Sequence, residues 1–310
     1  MYNPAKPYKR EIIKLIKKTW ETPYVSVTSG TYPVIKKKFL YPEVDHTDGI
    51  GTKGYYHWQK RTFKNAVLDA LAMNLNDLAM MGAVPYKLQN HIIIPEDDSQ
   101  AILAIVKNLV VECRKRKIAI TGGETSIQNN LEGLDISITI SGFITKLRPN
   151  KFLIGNVLIG LPSNGLHANG FTRVRELFAK SFKWEFVAPT VVYSDLLLSL
   201  VNRYNISGMA HITGGAYMKL RGMLEGVDAI LFRDHKLRPQ AIFRQIYKKG
   251  VRDLEMYQTF NCGIGFILAV PEDAAGKILR RLNGDVIGKV TPGRGIVKIE
   301  SAFSNRQVEL

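Results

Sequence analysis

Between residues 64 and 81 apolar side chains fall at almost every turn position, with Val67, Leu68, Leu71, Leu75 and Leu78 at helical spacing. Gly82 and Pro85 follow as stop signals, so the pattern predicts one long helix, Lys64 to Met81. Residues 9–20 set Ile12, Ile13, Leu15, Ile16 and Trp20 on one side and lysines on the other, which predicts a short amphipathic helix that packs by its apolar face. A second amphipathic helix is predicted over 98–115. Residues 134–145 alternate cleanly, as a half-buried strand does. Residues 32–46 alternate loosely and read as strand, as do 87–94 and 117–121, the last ending at Gly122-Gly123. The pattern breaks at Arg148-Pro149-Asn150-Lys151 and then resumes. Strands are predicted near 156–160, 263–270 and 285–290, and helices from Phe171 to Phe178 and near 190–204, 239–249 and 272–282. Strands and helices mixed in two halves predict an α/β (α+β) protein of two domains, residues 1–150 and 151–310.

The polar positions gather at the ends of these strands. Gly160-Leu-Pro-Ser-Asn-Gly-Leu-His-Ala-Asn-Gly170 lies between a strand and a helix. Glycine lets backbone N–H groups approach an anion, and a helix N-terminus favours negative charge. Asn169 is placed to cap the helix. Alone, such a turn reads equally well as an ordinary capped loop. Two further glycine turns follow strands and carry a carboxylate each: Asp48-Gly-Ile-Gly-Thr-Lys53 and Thr121-Gly-Gly-Glu-Thr125. The long helix adds Asp69, Asn74, Asn76 and Asp77 to an apolar body. At about 100° per residue Asp69 and Asn76 share a line and Asp77 is offset by about 80°. That stripe is either a solvated face or a Mg²⁺ site, since hard cations choose carboxylate and phosphate oxygens. Asp48, Asp77 and Glu124 together read as a dispersed Mg–nucleotide site. Lys53 is either a phosphate contact or a surface lysine. His167, flanked by small polar residues, is either a general acid/base or a structural histidine bonded to the loop backbone. His211 precedes a similar turn, Ile212-Thr-Gly-Gly215, and Cys262 reads as small core packing. Neither a P-loop nor a dinucleotide fingerprint is present.

Charge then narrows the partners. The 310 residues carry a formal net charge of +16, which attracts anions. The basic residues are scattered, so nucleotides and phosphorylated metabolites fit better than nucleic acid. An apolar content of 45% is ordinary for a globular protein. Two cysteines, Cys113 and Cys262, make no disulfide framework, which fits a reducing cytoplasm. No leader pattern and no run of membrane-spanning length is expected.

In their order, six blocks resemble the phosphoribosylformylglycinamidine cyclo-ligase (aminoimidazole ribonucleotide synthetase) family. They are Asp48–Lys53, Asn74-Leu-Asn-Asp-Leu-Ala-Met-Met-Gly-Ala-Val-Pro85, Gly122-Gly-Glu-Thr125, Gly160–Gly170, Ala210-His-Ile-Thr-Gly-Gly215 and Met256-Tyr-Gln-Thr-Phe-Asn-Cys-Gly-Ile-Gly265. The first three are shared with a wider superfamily of selenophosphate synthetase, thiamine-monophosphate kinase and a hydrogenase maturation factor. The resemblance implies an N-terminal domain, 1–150, whose sheet forms a barrel in a homodimer and binds ATP and Mg²⁺, and a C-terminal α/β domain, 151–310, on the substrate side. It implies ATP-dependent ring closure of formylglycinamidine ribonucleotide to aminoimidazole ribonucleotide in purine biosynthesis. Asp48, Gly49, Thr52, Asp77, Gly123 and Glu124 would bind ATP, with Asp48, Asp77 and Glu124 on the metal. Ser163, Asn164, Gly165, Asn169, Thr213, Gly214 and Gly215 would bind substrate, and His167, Asp48 and Lys53 would act in catalysis. The family's opening Ala-Gly-Val-Asp segment and Gly-Phe-Gly loop are missing, with Ser29-Gly30-Thr31 near the expected loop, and Ser126-Ile-Gln-Asn129 follows Gly-Gly-Glu-Thr. These departures imply a reduced or rebuilt nucleotide lid. They leave room for another ATP-dependent enzyme of the superfamily, or for a non-catalytic binder of phosphometabolites or nucleic acid.

Overall fold

The computed structural model describes residues 8–30, 32–179 and 181–310. Met1–Pro7, and Thr31 of the Ser29-Gly30-Thr31 segment, lie outside the described residues. The chain divides into two compact units. The first runs to Lys146 without Ala79–Gly82, and those four residues group with the second unit, which continues from Leu147 to Leu310.

Unit one carries α1 (Tyr8–Lys17), β1 (Val25–Thr28), β2 (Val34–Lys37), β3 (Glu43–Gly49), α2 (Gly54–Lys60), α3 (Phe63–Met80), β4 (Ala83–Ile94), α4 (Ser99–Lys115), β5 (Ala119–Ile127) and β6 (Asp135–Ile144). β1 and β2 pair as a hairpin, and the main sheet runs β3-β6-β4-β5. β4 and β5 are parallel, so the chain needs the crossover that α4 provides. Asp98 caps α4, its side chain accepting from the Ala101 N–H at 2.8 Å. Along β6 the predicted alternation is realised: Ile136, Ile138 and Ile140 are buried, while Ser137 and Thr139 on the opposite face are not. That opposite face is polar along its middle, with Thr47 against Thr139 at 2.8 Å, Lys87 donating to Ser141 at 2.7 Å and His91 against Ser126 at 2.8 Å, while at one end Phe143 is buried against Tyr24 and Phe39.

Three local expectations are corrected. The strand at 117–121 does not end at Gly122-Gly123 but continues to Ile127, because the parallel ladder with β4 carries it through both glycines. Pro85 sits inside β4 rather than acting as a helix stop, and a register shift between Pro85 and Lys87 takes up its missing N–H. The loose alternation at 32–46 is two strands, β2 and β3, which belong to different sheets.

Unit two carries β7 (Asn156–Pro162), α5 (Phe171–Phe178), α6 (Ser194–Val201), β8 (Gly208–His211), β9 (Val227–Leu231), α7 (Ala241–Lys248), α8 (Asp253–Thr259), β10 (Ile264–Pro271), α9 (Glu272–Leu279), β11 (Asp285–Pro292), β12 (Val297–Glu300) and β13 (Gln307–Glu309). Among the described residues its seven strands run β13-β12-β9-β11-β7-β10-β8, and only the β9–β12 pair is parallel. β10, paired between β7 and β8, reads Ile-Gly-Phe-Ile-Leu-Ala-Val and is buried on both faces, which is why its sequence is a continuous apolar run. Among the described residues no helix is long and apolar enough to cross a membrane.

Candidate functional site

In unit one, Asp48 is the penultimate residue of β3 and its Oδ1 accepts from the Gly49 N–H at 2.7 Å. A 3₁₀ turn, Gly51–Lys53, then leads into α2, with Gly51 at φ +53° where glycine is at ease. α3 grips this connection. Asn74, fully buried, donates to the Asp48 carbonyl at 3.1 Å and lies 2.9 Å from His46 Nδ1. His46 Nε2 stands 3.3 Å from Asp77 Oδ2. That bond to Asp77 raises the His46 pKa, against the pull of partial burial. Asp48, His46, Asn74 and Asp77 therefore form one neighbourhood, and Asp77 is the half-buried member of the predicted helix stripe. Asp69 and Asn76 are fully buried, so the stripe is not a solvated face.

Lys53 departs from both of its sequence readings. It is 0% exposed, and its Nζ lies 2.8 Å from Asp69 Oδ2. His57 Nε2 approaches the same oxygen at 2.7 Å, and its Nδ1 lies 2.7 Å from Thr62 Oγ1. Burial works against the Asp69 charge, but Lys53 and His57 outweigh it and hold the carboxyl below its usual range. A buried ammonium committed to Asp69 is not presented to a phosphate. Lys53 instead ties the end of the Asp48 turn to α3.

Glu124 also departs from expectation. It lies within strand β5 rather than on a turn, and its Oε1 accepts from the Thr125 N–H at 2.8 Å. In register it faces His91, then Ser137, then Gly49. Neighbours in register share a face, so Glu124 points to the face opposite Asp48, with two strands between them or about 14 Å. The three carboxylates do not converge within one chain, and among the described residues no group of three acidic, His or Cys side chains is set to hold a metal. Asp48 and Asp77 alone still suit Mg²⁺, which binds through one or two carboxylates and takes further oxygens from water and substrate phosphates. Gly123 and Glu124 border a cavity of about 1200 Å³, walled by Ile12 and Ile16 of α1 and by Val106 and Leu109 of α4. A Cβ on Gly123 would come within 2.7 Å of the Asn90 amide, which explains the small residue there.

In unit two the turn after β7 holds His167 at φ +60°, Gly165 at +137° and Gly170 at +75°. Gly170, not Asn169, is the N-cap of α5, and no side chain caps that end. A Cβ on Gly170 would also meet Phe260 at 2.3 Å. Asn169 faces the next glycine turn instead: its Oδ1 is 3.4 Å from where a Cβ on Gly214 would stand. Its Nδ2 is buried and has no hydrogen-bond partner among the described residues. The Thr213–Gly215 turn places buried Thr213 beside exposed Gly214 and Gly215, and Lys219 donates to the Thr213 hydroxyl. Asn164 is exposed and donates to the Pro189 carbonyl at 2.7 Å. Ser163 is buried and donates to Asn261 Oδ1 at 2.8 Å. His167 is 1% exposed and packs by Tyr193, whose hydroxyl donates to the Pro162 carbonyl at 2.7 Å. Gly265 makes room for both rings, since a Cβ there would fall 2.1 Å from the Tyr193 oxygen and 2.6 Å from His167 Cε1.

Ser163, Asn169, Thr213 and Gly214 are thus brought into one region, and Asp48 and Asp77 into another. Sequence reasoning passed over His46, Lys219 and Asn261 as functional positions. Lys219 carried only a generic signal, a cation one turn past a Gly-Gly pair.

Residues 41–144 match the family described as AIR synthase related protein, N-terminal domain, and residues 154–300 match its C-terminal domain. The phosphoribosylformylglycinamidine cyclo-ligase of Saccharolobus solfataricus is 33% identical over 301 residues, 93% of this chain and 91% of that protein. Among solved structures, the hydrogenase maturation protein HypE of E. coli superposes with a TM-score of 0.71 at 18% identity, covering 97% of this chain and 96% of that one. A structure of hydrogenase maturation protein HypE in complex with ATP gives 0.71 at 17% identity, over 99% of this chain and 95% of that one. At such identities these two establish the shared fold.

Proposed function

Because the chain belongs to the AIR synthase related family through both of its halves, we propose that it is an ATP-dependent cyclo-ligase. Its substrate is formylglycinamidine ribonucleotide and its product aminoimidazole ribonucleotide. The observation that carries the substrate side is the buried Asn169 amide nitrogen, which lacks a partner among the described residues at the meeting of two glycine turns. An orphaned buried donor costs about 1–3 kcal/mol, and a phosphate oxygen would satisfy it. Ser163, Asn164, Gly165, Thr213, Gly214 and Gly215 surround the same phosphate, and Lys219 adds a positive charge.

On the nucleotide side, Asp48 and Asp77 hold Mg²⁺, with Gly49 and Thr52 in the same connection. Magnesium there supplies charge neutralisation at the transferring phosphoryl group. Gly123 and Glu124 border the cavity that takes the nucleotide. The formyl oxygen accepts the γ-phosphoryl group and ADP departs. The ring-forming nitrogen then attacks the formyl carbon, the C–O bond breaks, inorganic phosphate leaves, and the nitrogen loses a proton. His167 is assigned that proton, and Tyr193 and Gly265 hold its ring in place. Residues 1–150 serve ATP and pairing with a second copy, and residues 151–310 serve the substrate. The polar outer face of the β3-β6-β4-β5 sheet is where a second copy completes a barrel.

The test supplies purified protein with formylglycinamidine ribonucleotide, ATP and Mg²⁺. ADP, phosphate and the imidazole product are expected in equal amounts. A protein that releases ADP only with some other carbonyl or phosphate substrate belongs to the second reading, a different ATP-dependent enzyme, which the shared fold with HypE favours.

A further inference from the structure

Asn261 lies just before β10 and is 3% exposed. Its Oδ1 accepts from the Ser163 hydroxyl at 2.8 Å and from the Gly263 N–H at 2.9 Å. Its Nδ2 donates to the Gly165 carbonyl at 2.8 Å, and its own carbonyl accepts from the Tyr217 hydroxyl at 2.8 Å. The side chain thus joins the turn after β7 to the start of β10, and the residue's own carbonyl adds the 3₁₀ segment that follows Gly215. The backbone beside it is unusual: Cys262 has φ +49° and Gly263 φ +98°. A non-glycine residue at positive φ is strained and persists where its surroundings hold it. The Gly263 carbonyl in turn accepts from the Ser163 N–H at 2.9 Å. Gln240 Nε2 donates to the Ser163 carbonyl at 2.6 Å.

These bonds set direction as well as position. A trans peptide is planar, and its C=O and N–H point opposite ways. Holding the Gly165 carbonyl toward Asn261 turns the Leu166 N–H away from it. Holding the Ser163 carbonyl toward Gln240 does the same for the Asn164 N–H. An anion-binding turn works only when its N–H groups are aimed before the anion arrives, because otherwise binding must supply the ordering.

We propose that Asn261, with Gln240, is a positioning residue that aims the Asn164 and Leu166 N–H groups at a phosphate monoester on the substrate. The inference rests on the reading of this turn as the substrate-phosphate side. Asn261→Asp separates positioning from bulk. It keeps the acceptor for Ser163 and Gly263 but sets a carboxylate oxygen against the Gly165 carbonyl, which reverses that peptide's preference.

Calorimetry with ribose 5-phosphate, and with ribose as the uncharged control, tests this on the full chain. Wild type is expected to bind ribose 5-phosphate and not ribose. Asn261→Asp and Gln240→Met are each expected to weaken that binding about tenfold or more, the scale of one lost directed hydrogen bond in a buried site. In turnover, KM for the phosphorylated substrate should rise and KM for ATP should not, a split that general loosening of the fold does not produce. Wild type that fails to bind ribose 5-phosphate overturns the reading of the turn and the inference with it. Wild type that binds, with Asn261→Asp binding equally, overturns the inference alone. Where Asn261→Asp does not fold, an unchanged affinity in Gln240→Met overturns it.

Discussion

At the residue scale, polar groups set inside apolar elements carry the argument. Asp69, Asn74 and Asn76 all sit at 0% exposure on one helix, so each needs a partner. Removing one partner of a buried pair strands the other, and Asp69→Ala is expected to cost about 3–5 kcal/mol because it leaves the Lys53 ammonium uncompensated. Urea unfolding checks this, and a cost below about 1 kcal/mol would mean that Lys53 reaches water. Asp77 is different, since it is half-buried and its partner is His46, two residues before Asp48. Asp77→Asn is expected to lower turnover by about 100-fold or more while leaving the melting temperature within a few degrees. Near-normal turnover would remove Asp77 from the metal. The distinction between these two aspartates was not legible from spacing alone. The matching block singles out Asp77, but why Asp69 is a structural carboxylate shows only in the arrival of Lys53 and His57 from α2 and its preceding turn.

At the element scale, glycines mark where elements come close. Gly265 gives way to Tyr193 and His167, so Gly265→Ala is expected to displace one of those rings and to destabilise the protein by about 1–3 kcal/mol. A melting temperature equal to wild type would show that the rings are free to move aside. The loop between β11 and β12 depends on Asp228 of β9. Its Oδ1 accepts from the Arg294 N–H at 2.7 Å and the Ile296 N–H at 3.0 Å, and Lys298 lies 3.1 Å from Oδ2. The Ile296 bond leads in holding the Asp228 pKa down to about 2. A depressed carboxyl contributes stability above its unfolded pKa, near 4, and that contribution is lost as pH falls toward 2. Wild type should therefore lose stability between about pH 4 and pH 2 more steeply than Asp228→Asn, as urea midpoints across that range would record. Parallel slopes would mean that other carboxylates govern acid unfolding. Periodicity made α3, α4, β6 and β10 legible. It did not expose β1, β9, β12 or β13, whose three to five residues are too short to show a period.

At the scale of the whole molecule, the 34.8 kDa chain presents a polar sheet face with open edges at β3 and β5. Light scattering is expected to give twice the chain mass, and a monomer at all concentrations would remove the barrel assignment. By itself the sequence determined the mixed α/β class, the break near residue 150, the long buried helix and the glycine turns at 48–53 and 160–170, though not the one read at 121–125, because periodicity and turn chemistry are local properties. It also brought Asp48, Asp77, His167 and Asn169 forward as candidates, since unusual residue types stand out against an apolar background. Tertiary structure alone decided which of them meet. Strand register set Glu124 on the face away from Asp48, a fact that depends on pairing partners tens of residues away. Burial turned Lys53 inward to Asp69. Asn169 met Gly214, and Asn261 met Ser163 and Gly165, across separations that no local pattern encodes.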